Sequence, residues 1–227
     1  MKPKIGIVAR PNFPEENNSN LMVNEVYRRK IIESGGIPFL MLPPKLINYD
    51  TAKPSENKEL TLEEKEILTS QLEMCDGVLM PGGYKVFSHD FFILDYAIKN
   101  DIPILGICLG MQVMANYKQD YMTEQINYKF NNHFDISGNY VHNVNIKQNS
   151  KLHSIVNEDK IMVNSMHKYR AVSGGLYNIV AVSDDNIIEA LEYPNNKFNI
   201  GVQWHPERLE DSASKKLFKV YIESCKK

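Results

Sequence analysis

A cysteine between two glycines is the feature of this sequence that most directly suggests chemistry. Cys108 follows the apolar run 102–107 and precedes 109–115, a segment of helix-forming residues. The spacing Gly106-x-Cys108-x-Gly110 is that of a nucleophile elbow, a sharp turn from a strand into a helix that presents a nucleophile. Glycine permits such a turn because it has no Cβ to clash with its neighbours. Amides at the start of the helix would favour a thiolate and the oxyanion formed after its attack.

The composition is that of an ordinary globular protein. The chain has 227 residues, of which 43% are hydrophobic and 24% charged, and we expect one α/β domain over 1–227, with two small domains as the other option. A net charge of −2 gives no reason to expect nucleic acid or an anionic membrane as a partner. No apolar run approaches the roughly 20 residues of a membrane span, and the opening does not resemble a signal peptide. The three cysteines match no metal or disulfide framework, so we expect a cytoplasmic protein.

Strand and helix patterns alternate through the first half of the chain, which predicts a mostly parallel central sheet with helices on both faces. Thr61 and Glu64 have the spacing of a capping box. The stretch 10–20 contains two prolines and four asparagines and is predicted to be a loop. The predicted strands are 5–9, 37–42 and 76–80, and the predicted helices are 21–34, 61–73 and 91–99.

The second half changes to short alternating segments with polar turns at 184–186 and 194–196. This pattern predicts a smaller antiparallel sheet that either packs on the first sheet or continues it. A closing helix is predicted at 213–224. The strand candidates are 140–146, 160–164, 177–182, 187–193 and 199–204.

The predicted sheet also predicts where a ligand would bind. In open α/β sheets the ligand site lies at the carboxyl ends of the strands. Cys108 follows one predicted strand and the pair Gly82-Gly83 follows another. We therefore expect the cysteine and the diglycine turn to lie at the same edge of the sheet.

A second motif makes the elbow more specific. Residues 201–207 read Gly-Val-Gln-Trp-His-Pro-Glu. Together with Gly-x-Cys-x-Gly-x-Gln at the elbow, this stretch resembles the motifs of the triad (class I) glutamine amidotransferases. The resemblance implies a flavodoxin-like α/β fold over nearly the whole chain. It also implies a catalytic triad of Cys108, His205 and Glu207, with Gln112 as the motif glutamine.

Within that superfamily the chain looks closest to the gamma-glutamyl-gamma-aminobutyrate hydrolase group. The elbow departs from that group, because Cys108-Leu109-Gly110 is the form common in true amidotransferases where the group usually has Cys-Arg-Gly. The insert after the diglycine turn is short, and the double glycine expected after the elbow helix is absent. The segments that resemble this group are 5–8 with Tyr27 and 34–38, 163–167, His142-x-Val144, 188–190 and 201–207.

The resemblance implies a reaction that needs no metal and no organic cofactor. The thiolate would attack the gamma carbonyl of a glutamine-like amide, His205 would transfer the protons, and Glu207 would orient the histidine. The amides of Gly83 and Leu109 would form the oxyanion hole. The predicted substrate-binding residues are Gly82, Gln112, Ser165, Met166 and His167.

Most of the remaining cysteines and histidines are predicted to have structural positions. Cys75 is predicted to lie in the core or at an edge, and Cys225 to be exposed. His142 is left open between a structural and a functional role. His89, His133 and His153 are predicted to be surface residues.

Three functions remain open from the sequence. The first is a stand-alone hydrolase of a small gamma-glutamyl substrate, and the second is a glutaminase subunit that supplies ammonia to a partner synthetase. The third is a non-catalytic member of the fold. A homodimer is left open. The amine half of the substrate would be recognised by the loops 10–20, 84–90 and 119–137.

Overall fold

The computed structural model describes residues 1–12, 20–49, 51–119, 123–126 and 133–226. The long strands are formed by β-branched and apolar residues, in keeping with strand propensity. The strands are β1 (Lys4–Val8), β2 (Arg10–Asn12), β3 (Asn20–Met22), β4 (Ile37–Met41), β5 (Gly77–Met80), β6 (Ile104–Ile107), β7 (Thr123–Gln125), β8 (His142–Ile146), β9 (Lys160–Val163), β10 (Tyr169–Ala171), β11 (Asn178–Ser183), β12 (Ile188–Glu192) and β13 (Asn199–Val202).

Four of the six helices begin at a polar side chain that caps them. The Thr61 side chain accepts a hydrogen bond from the Glu64 amide and Glu64 accepts one from the Thr61 amide, so the predicted capping box is confirmed. The side chains of Asn24, Ser150 and Asp211 each accept one hydrogen bond from an amide in the first turn of three further helices. The helices are α1 (Glu25–Glu33), α2 (Leu62–Glu73), α3 (Ser88–Lys99), α4 (Leu109–Ala115), α5 (Lys151–Val156) and α6 (Ser212–Ser224).

One nine-stranded sheet runs through the molecule in the order β4-β1-β5-β6-β13-β12-β11-β8-β9. Neighbouring strands from β4 to β13 are parallel, and those from β13 to β9 are antiparallel. The predicted α/β class is confirmed, and the antiparallel part continues the central sheet. Two separate two-stranded sheets, β10 with β7 and β2 with β3, are also present.

Helices cover both faces of this sheet, as predicted. Successive residues of β5 point to opposite faces. Leu79 belongs to a core cluster with residues of α1, α5 and α6. Val78 and Met80 belong to a second cluster with residues of α2, α3 and α4. The two clusters hold the parallel strands from both sides, so the strand ends are fixed relative to one another.

Two local predictions from the sequence are wrong. The predicted loop 10–20 begins and ends in short strands, because β2 and β3 pair with each other in antiparallel fashion. For the same reason the first helix starts at Glu25 rather than at 21. The central part of that predicted loop, 13–19, lies outside the described residues. The short helix α5 was not predicted from the sequence.

Three predictions of exposure are also wrong. Cys225 is 2% exposed, because the end of α6 packs onto the sheet. His89 is 2% exposed and stacks on the Phe87 ring. His133 is 4% exposed and lies among other buried polar side chains. Cys75 is buried as predicted, and His153 keeps a partly exposed side chain.

Candidate active site

Cys108 stands at a sharp turn between β6 and α4. Its backbone has φ 53° and ψ −103°, a conformation that costs a residue with a side chain about 1–3 kcal/mol. Both flanking glycines are needed there. A Cβ on Gly110 would come within 2.2 Å of the Met80 carbonyl oxygen, and one on Gly106 within 2.8 Å of the Gly110 backbone. The strand–turn–helix geometry expected of a nucleophile elbow is therefore present.

His205 and Glu207 form a buried pair immediately after β13. His205 Nδ1 lies 2.6 Å from Glu207 Oε1, and the Glu207 side chain is fully buried. Pro206 begins a single 3-10 turn over Pro206–Arg208, and this turn brings the two side chains to the same side of the chain. Because a carboxylate only accepts hydrogen bonds, Nδ1 is the donor and Nε2 is left for another partner.

The charges around His205 favour its protonated form. Burial alone would lower the pKa of His205, but the negative charges of Glu207 and of the Cys108 thiolate outweigh burial and raise that pKa to about 10. A negative charge raises a histidine pKa because it stabilises the imidazolium form. The site is therefore arranged to hold His205 in its imidazolium form.

Gly82 lies between the cysteine and the histidine. A Cβ at this position would be 3.1 Å from His205 Cε1 and 3.5 Å from Cys108 Cβ. A side chain here would crowd the His205 ring, whereas its distance to Cys108 would be an ordinary van der Waals contact. The contact confirms that the carboxyl end of β5 and the elbow meet at the same edge of the sheet.

Tyr27 of α1 is hydrogen-bonded to the turn that contains Gly82. Its hydroxyl accepts a hydrogen bond from the Gly82 amide at 3.0 Å. Burial first, and then the charge of Glu207, raise the pKa of Tyr27 well above its usual value. The hydroxyl is therefore neutral and is held by the Gly82 amide near the negative charge of Glu207. The sequence singled out Tyr27 only as part of a family phrase and assigned it no role.

The predicted oxyanion-hole residues lie side by side. A Cβ on Gly83 would be 3.0 Å from Leu109 Cδ2. Leu109 is the first residue of α4, where a helix leaves its amides without intrahelical partners. The Gly82 amide, in contrast, already donates to Tyr27. Of the two glycines, Gly83 is thus the one whose amide fits the predicted role.

Gln112 and Leu109 line a cleft beside the elbow, with a volume of about 820 Å³. Gln112 Nε2 donates to the Tyr169 carbonyl at 3.1 Å and to Gln203 Oε1 at 3.2 Å. The cleft also includes 84–87, part of a loop predicted to read the amine half of a substrate. Its remaining lining comes from Ala52, Lys53, Asn57, Phe91, Asn116, Gln119 and Tyr169.

The predicted substrate-binding segment 165–167 is mostly turned inward. The Ser165 hydroxyl donates to the His133 carbonyl at 3.0 Å, and Ser165 is fully buried. His167 is 4% exposed, and its Nδ1 lies 2.9 Å from the Tyr169 carbonyl. Met166 is partly exposed and pairs with Phe134 as an isolated β-bridge. The substrate-binding role of these three residues stays a prediction.

Two positioning contacts were missed from the sequence. Asn164 makes two hydrogen bonds to the backbone of His205. Arg10, the first residue of β2, forms a buried ion pair with Asp90, with Nη1 at 2.6 Å from Oδ1. A Cβ on Gly83 would be 3.2 Å from the Arg10 side chain. Asn164 lies in 163–167, a segment that resembles the family, and this resemblance is a signal that could have identified it. Arg10 lies in a stretch predicted to be a loop, which gave no such signal.

Comparison with known proteins places this geometry in a family. The Peptidase C26 family model matches residues 87–207, more than half of the chain and a span that includes Cys108, His205 and Glu207. A glutamine amidotransferase-like protein of Rickettsia prowazekii is 28% identical, over 88% of this chain and 88% of its own length. The gamma-glutamyl-gamma-aminobutyrate hydrolase PuuD of Escherichia coli is 26% identical, over 98% of this chain and 93% of its own.

A solved structure supports the fold. The glutaminase domain of Trypanosoma brucei CTPS, with bound acivicin, has a TM-score of 0.64 and 16% identity, and the match covers 98% of this chain and 93% of that one. Fold and relatives together define a glutamine amidotransferase-type hydrolase of C–N bonds. The chain belongs to the Peptidase C26 family, which confirms the predicted superfamily. Within the described ranges, no helix is both long and apolar enough to cross a membrane.

Proposed function

We propose that this protein hydrolyses the gamma-glutamyl amide bond of a small gamma-glutamyl amine or of glutamine, through a thioester on Cys108. The observation that carries the proposal is the convergence of three features. Cys108 stands on a strained elbow, His205 is held by Glu207 at 2.6 Å, and the Gly82 backbone lies against both the cysteine and the histidine.

The first half of the reaction forms the thioester. The Cys108 thiolate attacks the gamma carbonyl carbon, and the carbonyl oxygen takes the negative charge. The amides of Gly83 and Leu109 stabilise that oxyanion, and one such donor is commonly worth about 3 kcal/mol in the transition state. As the C–N bond breaks, protonated His205 gives its Nε2 proton to the departing amine or ammonia.

The second half releases glutamate. Neutral His205 takes a proton from water, and the resulting hydroxide attacks the thioester carbonyl. The C–S bond breaks and the thiolate returns, paired again with protonated His205. Glu207 keeps Nδ1 as the donor throughout, so Nε2 always faces the reacting atoms. The nucleophile must stay reduced for this chemistry, and the cytoplasm is the compartment we propose.

A screen of gamma-glutamyl amines and glutamine, with glutamate release as the readout, tests this function. The wild type should release glutamate from at least one of these amides, and Cys108→Ala should abolish the release. Cys75→Ala is the matched control, because Cys75 is also a buried free cysteine but lies outside the site. Activity retained in Cys108→Ala would overturn the assignment of the nucleophile.

A glutaminase subunit that supplies ammonia to a partner synthetase is the second candidate. It is favoured by Leu109 after the cysteine, the form that resembles true amidotransferases. This function would show weak glutaminase activity alone and strong activity with the synthetase. An affinity-tagged chain that copurifies with no synthetase, and hydrolyses gamma-glutamyl amines alone, would exclude it.

An electrophilic glutamine analogue such as acivicin separates both candidates from an inert site. Mass spectrometry should show one adduct per chain, located on Cys108. His205→Ala should slow the labelling, because the thiolate would lose its cationic partner. A chain that remains unlabelled would instead be a non-catalytic member of the fold.

A further inference from the structure

Three histidines and a glutamate meet inside the antiparallel half of the sheet, and the proposed catalytic triad uses none of them. Glu189 comes from β12, His142 from the start of β8, His167 from the segment after β9, and His133 from the stretch that pairs with that segment. Their side chains are between 0% and 9% exposed. The four residues, called the histidine cluster here, are distant in sequence and are brought together only by the fold.

The ligand atoms of the cluster have the spacing of a metal site. Measured to Glu189 Oε1, His133 Nδ1 lies at 3.4 Å, and His142 Nε2 and His167 Nε2 each lie at 3.7 Å. His133 Nδ1 and His167 Nε2 are 3.2 Å apart, and all four atoms lie within 4.8 Å of one another. Ligands about 2.1 Å from a tetrahedral zinc ion are about 3.4 Å from each other.

In each of the three rings one nitrogen faces Glu189 and the other, the outer nitrogen, faces away from it. The partners of the outer nitrogens show which atoms carry protons. His133 Nε2 lies 3.1 Å from Asp185 Oδ2, His167 Nδ1 lies 2.9 Å from the Tyr169 carbonyl, and His142 Nδ1 lies 3.3 Å from the Asn143 carbonyl. Each of these partners only accepts hydrogen bonds, so each outer nitrogen donates. In a neutral ring the inner nitrogen then carries a lone pair.

Lone pairs therefore converge on the centre of the cluster. Glu189 Oε1, Glu189 Oε2 and His142 Nε2 are buried and have no hydrogen-bond partner among the described residues. Buried polar atoms left in this way are costly. An arrangement in which ring nitrogens face a carboxylate, while their other nitrogens are fixed by a carboxylate or carbonyl, is the usual surrounding of metal-bound histidines.

We propose that His133, His142, His167 and Glu189 bind one divalent transition-metal ion, and that the ion is Zn²⁺. Three imidazoles and one carboxylate suit zinc in tetrahedral geometry. Mg²⁺ and Ca²⁺ prefer six or more oxygen ligands and do not suit this set. The site adds a metal where the sequence predicted none.

The ion has a structural role that reaches the active site. His167 ends the segment that begins with Asn164, whose side chain holds the backbone of His205. The His167 amide also donates to the His133 carbonyl at 2.7 Å. By binding both His133 and His167, the metal fixes the segment that carries Asn164. The Cys108 thiol is not a ligand and stays free. The proposal depends only on the cluster, so it holds whatever substrate the enzyme hydrolyses.

Metal content and zinc titration of the whole chain test the site. After removal of metal with a chelator, the wild type should take up one equivalent of Zn²⁺ by calorimetry and elemental analysis, and its Tm should rise. Cobalt should bind with the visible absorption of a tetrahedral site. Cys108→Ala and His153→Ala are the controls, since they remove a thiol and a histidine outside the cluster, and both should keep the full stoichiometry.

Variants of the cluster complete the test. Glu189→Gln should weaken zinc binding at least 100-fold. Asp185→Asn should weaken it about 10-fold, because within the cluster Asp185 contacts His133 alone. If Glu189→Gln fails to fold, His142→Gln serves in its place, because it lies at the more open side of the cluster. A wild type that takes up no zinc, or that loses its zinc stoichiometry in Cys108→Ala, would overturn the proposal.

Discussion

Asn164 and His205 are joined by two reciprocal hydrogen bonds. The Asn164 amide donates to the His205 carbonyl at 3.0 Å, and the His205 backbone amide donates to Asn164 Oδ1 at 2.9 Å. Asn164 is fully buried, so its side chain acts as a strand would and fixes the backbone from which the His205 ring projects. The position of the proposed base thus depends on a residue outside the triad.

The Asn164 contact gives a first prediction. In Asn164→Asp the carboxylate keeps the size of the amide but cannot donate to the His205 carbonyl, and it meets a second acceptor there. We expect a loss of about 1–3 kcal/mol in the free energy of unfolding and a fall in kcat/KM of about 10- to 100-fold. Denaturant unfolding and steady-state kinetics measure the two effects. Asn178→Asp, at an exposed strand end, should change neither, and a fully active Asn164→Asp enzyme would contradict the positioning role.

The pH profile gives a second prediction. A histidine whose folded pKa is raised to about 10 stays protonated well above its ordinary pKa of about 6.5. Activity should fall as pH rises through about 10, because neutral His205 can no longer protonate the departing amine. Since the charge of Glu207 is one of the causes of the raised pKa, Glu207→Gln should move this alkaline limb to lower pH.

Rate measurements across pH test this shift. The plot of kcat/KM against pH for Glu207→Gln should have its alkaline limb at least one unit lower than the wild type, with a lower maximum. Glu210→Gln is the matched control, because Glu210 is exposed and pairs with Lys30. If the alkaline limb is the same in Glu207→Gln and wild type, the proposed coupling of the two residues is wrong.

The hydroxyl of Tyr27 gives a third prediction. Tyr27→Phe removes the acceptor of the partly buried Gly82 amide while keeping the ring. We expect a loss of about 1–3 kcal/mol in stability and about a 10-fold lower kcat, because Gly82 lies against both Cys108 and His205.

Tyr140→Phe removes an exposed hydroxyl that bonds to Asp211 and should be neutral. Wild-type kcat in Tyr27→Phe would exclude a role for the hydroxyl in positioning the turn.

His89 gives a fourth prediction, about stability in acid. Burial lowers the pKa of His89 to about 4, so the folded state resists protonation while the unfolded state takes a proton near pH 6.5. The stability that comes from the neutral ring is present above pH 6.5 and is lost as pH falls toward 4. At pH 5 the loss from this group is about 2 kcal/mol.

Denaturant unfolding at pH 8 and pH 5 measures this loss. His89→Leu should lose about 2 kcal/mol less than the wild type between the two values, because leucine has no proton to gain. His153→Leu is the control, since the His153 side chain is partly exposed and pairs with Asp159. An equal acid loss in His89→Leu and wild type would show that His89 titrates normally.

Local chemistry explains what the sequence could predict. The capping box at Thr61 acts within a few residues, so its geometry can be predicted from spacing alone. The spacing also indicates the turn at Cys108, although Gly110 is required by a contact with Met80 on the neighbouring strand. The meeting of Gly82 with Cys108 and His205 follows from a general rule, because the carboxyl ends of parallel strands share one edge of the sheet.

Contacts between distant residues explain what the sequence could not predict. Whether His133 is buried is decided by its neighbours His142, His167 and Glu189, and only the folded sheet brings these together. Cys225 was predicted to be exposed because it lies near the chain end, yet the packing of α6 buries it. The pairing of β2 with β3 joins two segments that each have weak strand signals.

The positive φ of Cys108 has one last consequence. Glycine adopts that conformation without strain, so a chain selected only to fold would carry glycine at 108. Cys108→Gly is therefore expected to be at least as stable as Cys108→Ala, which keeps the strain. Cysteine at 108 thus lowers the stability of the fold while it supplies the nucleophile of the proposed reaction.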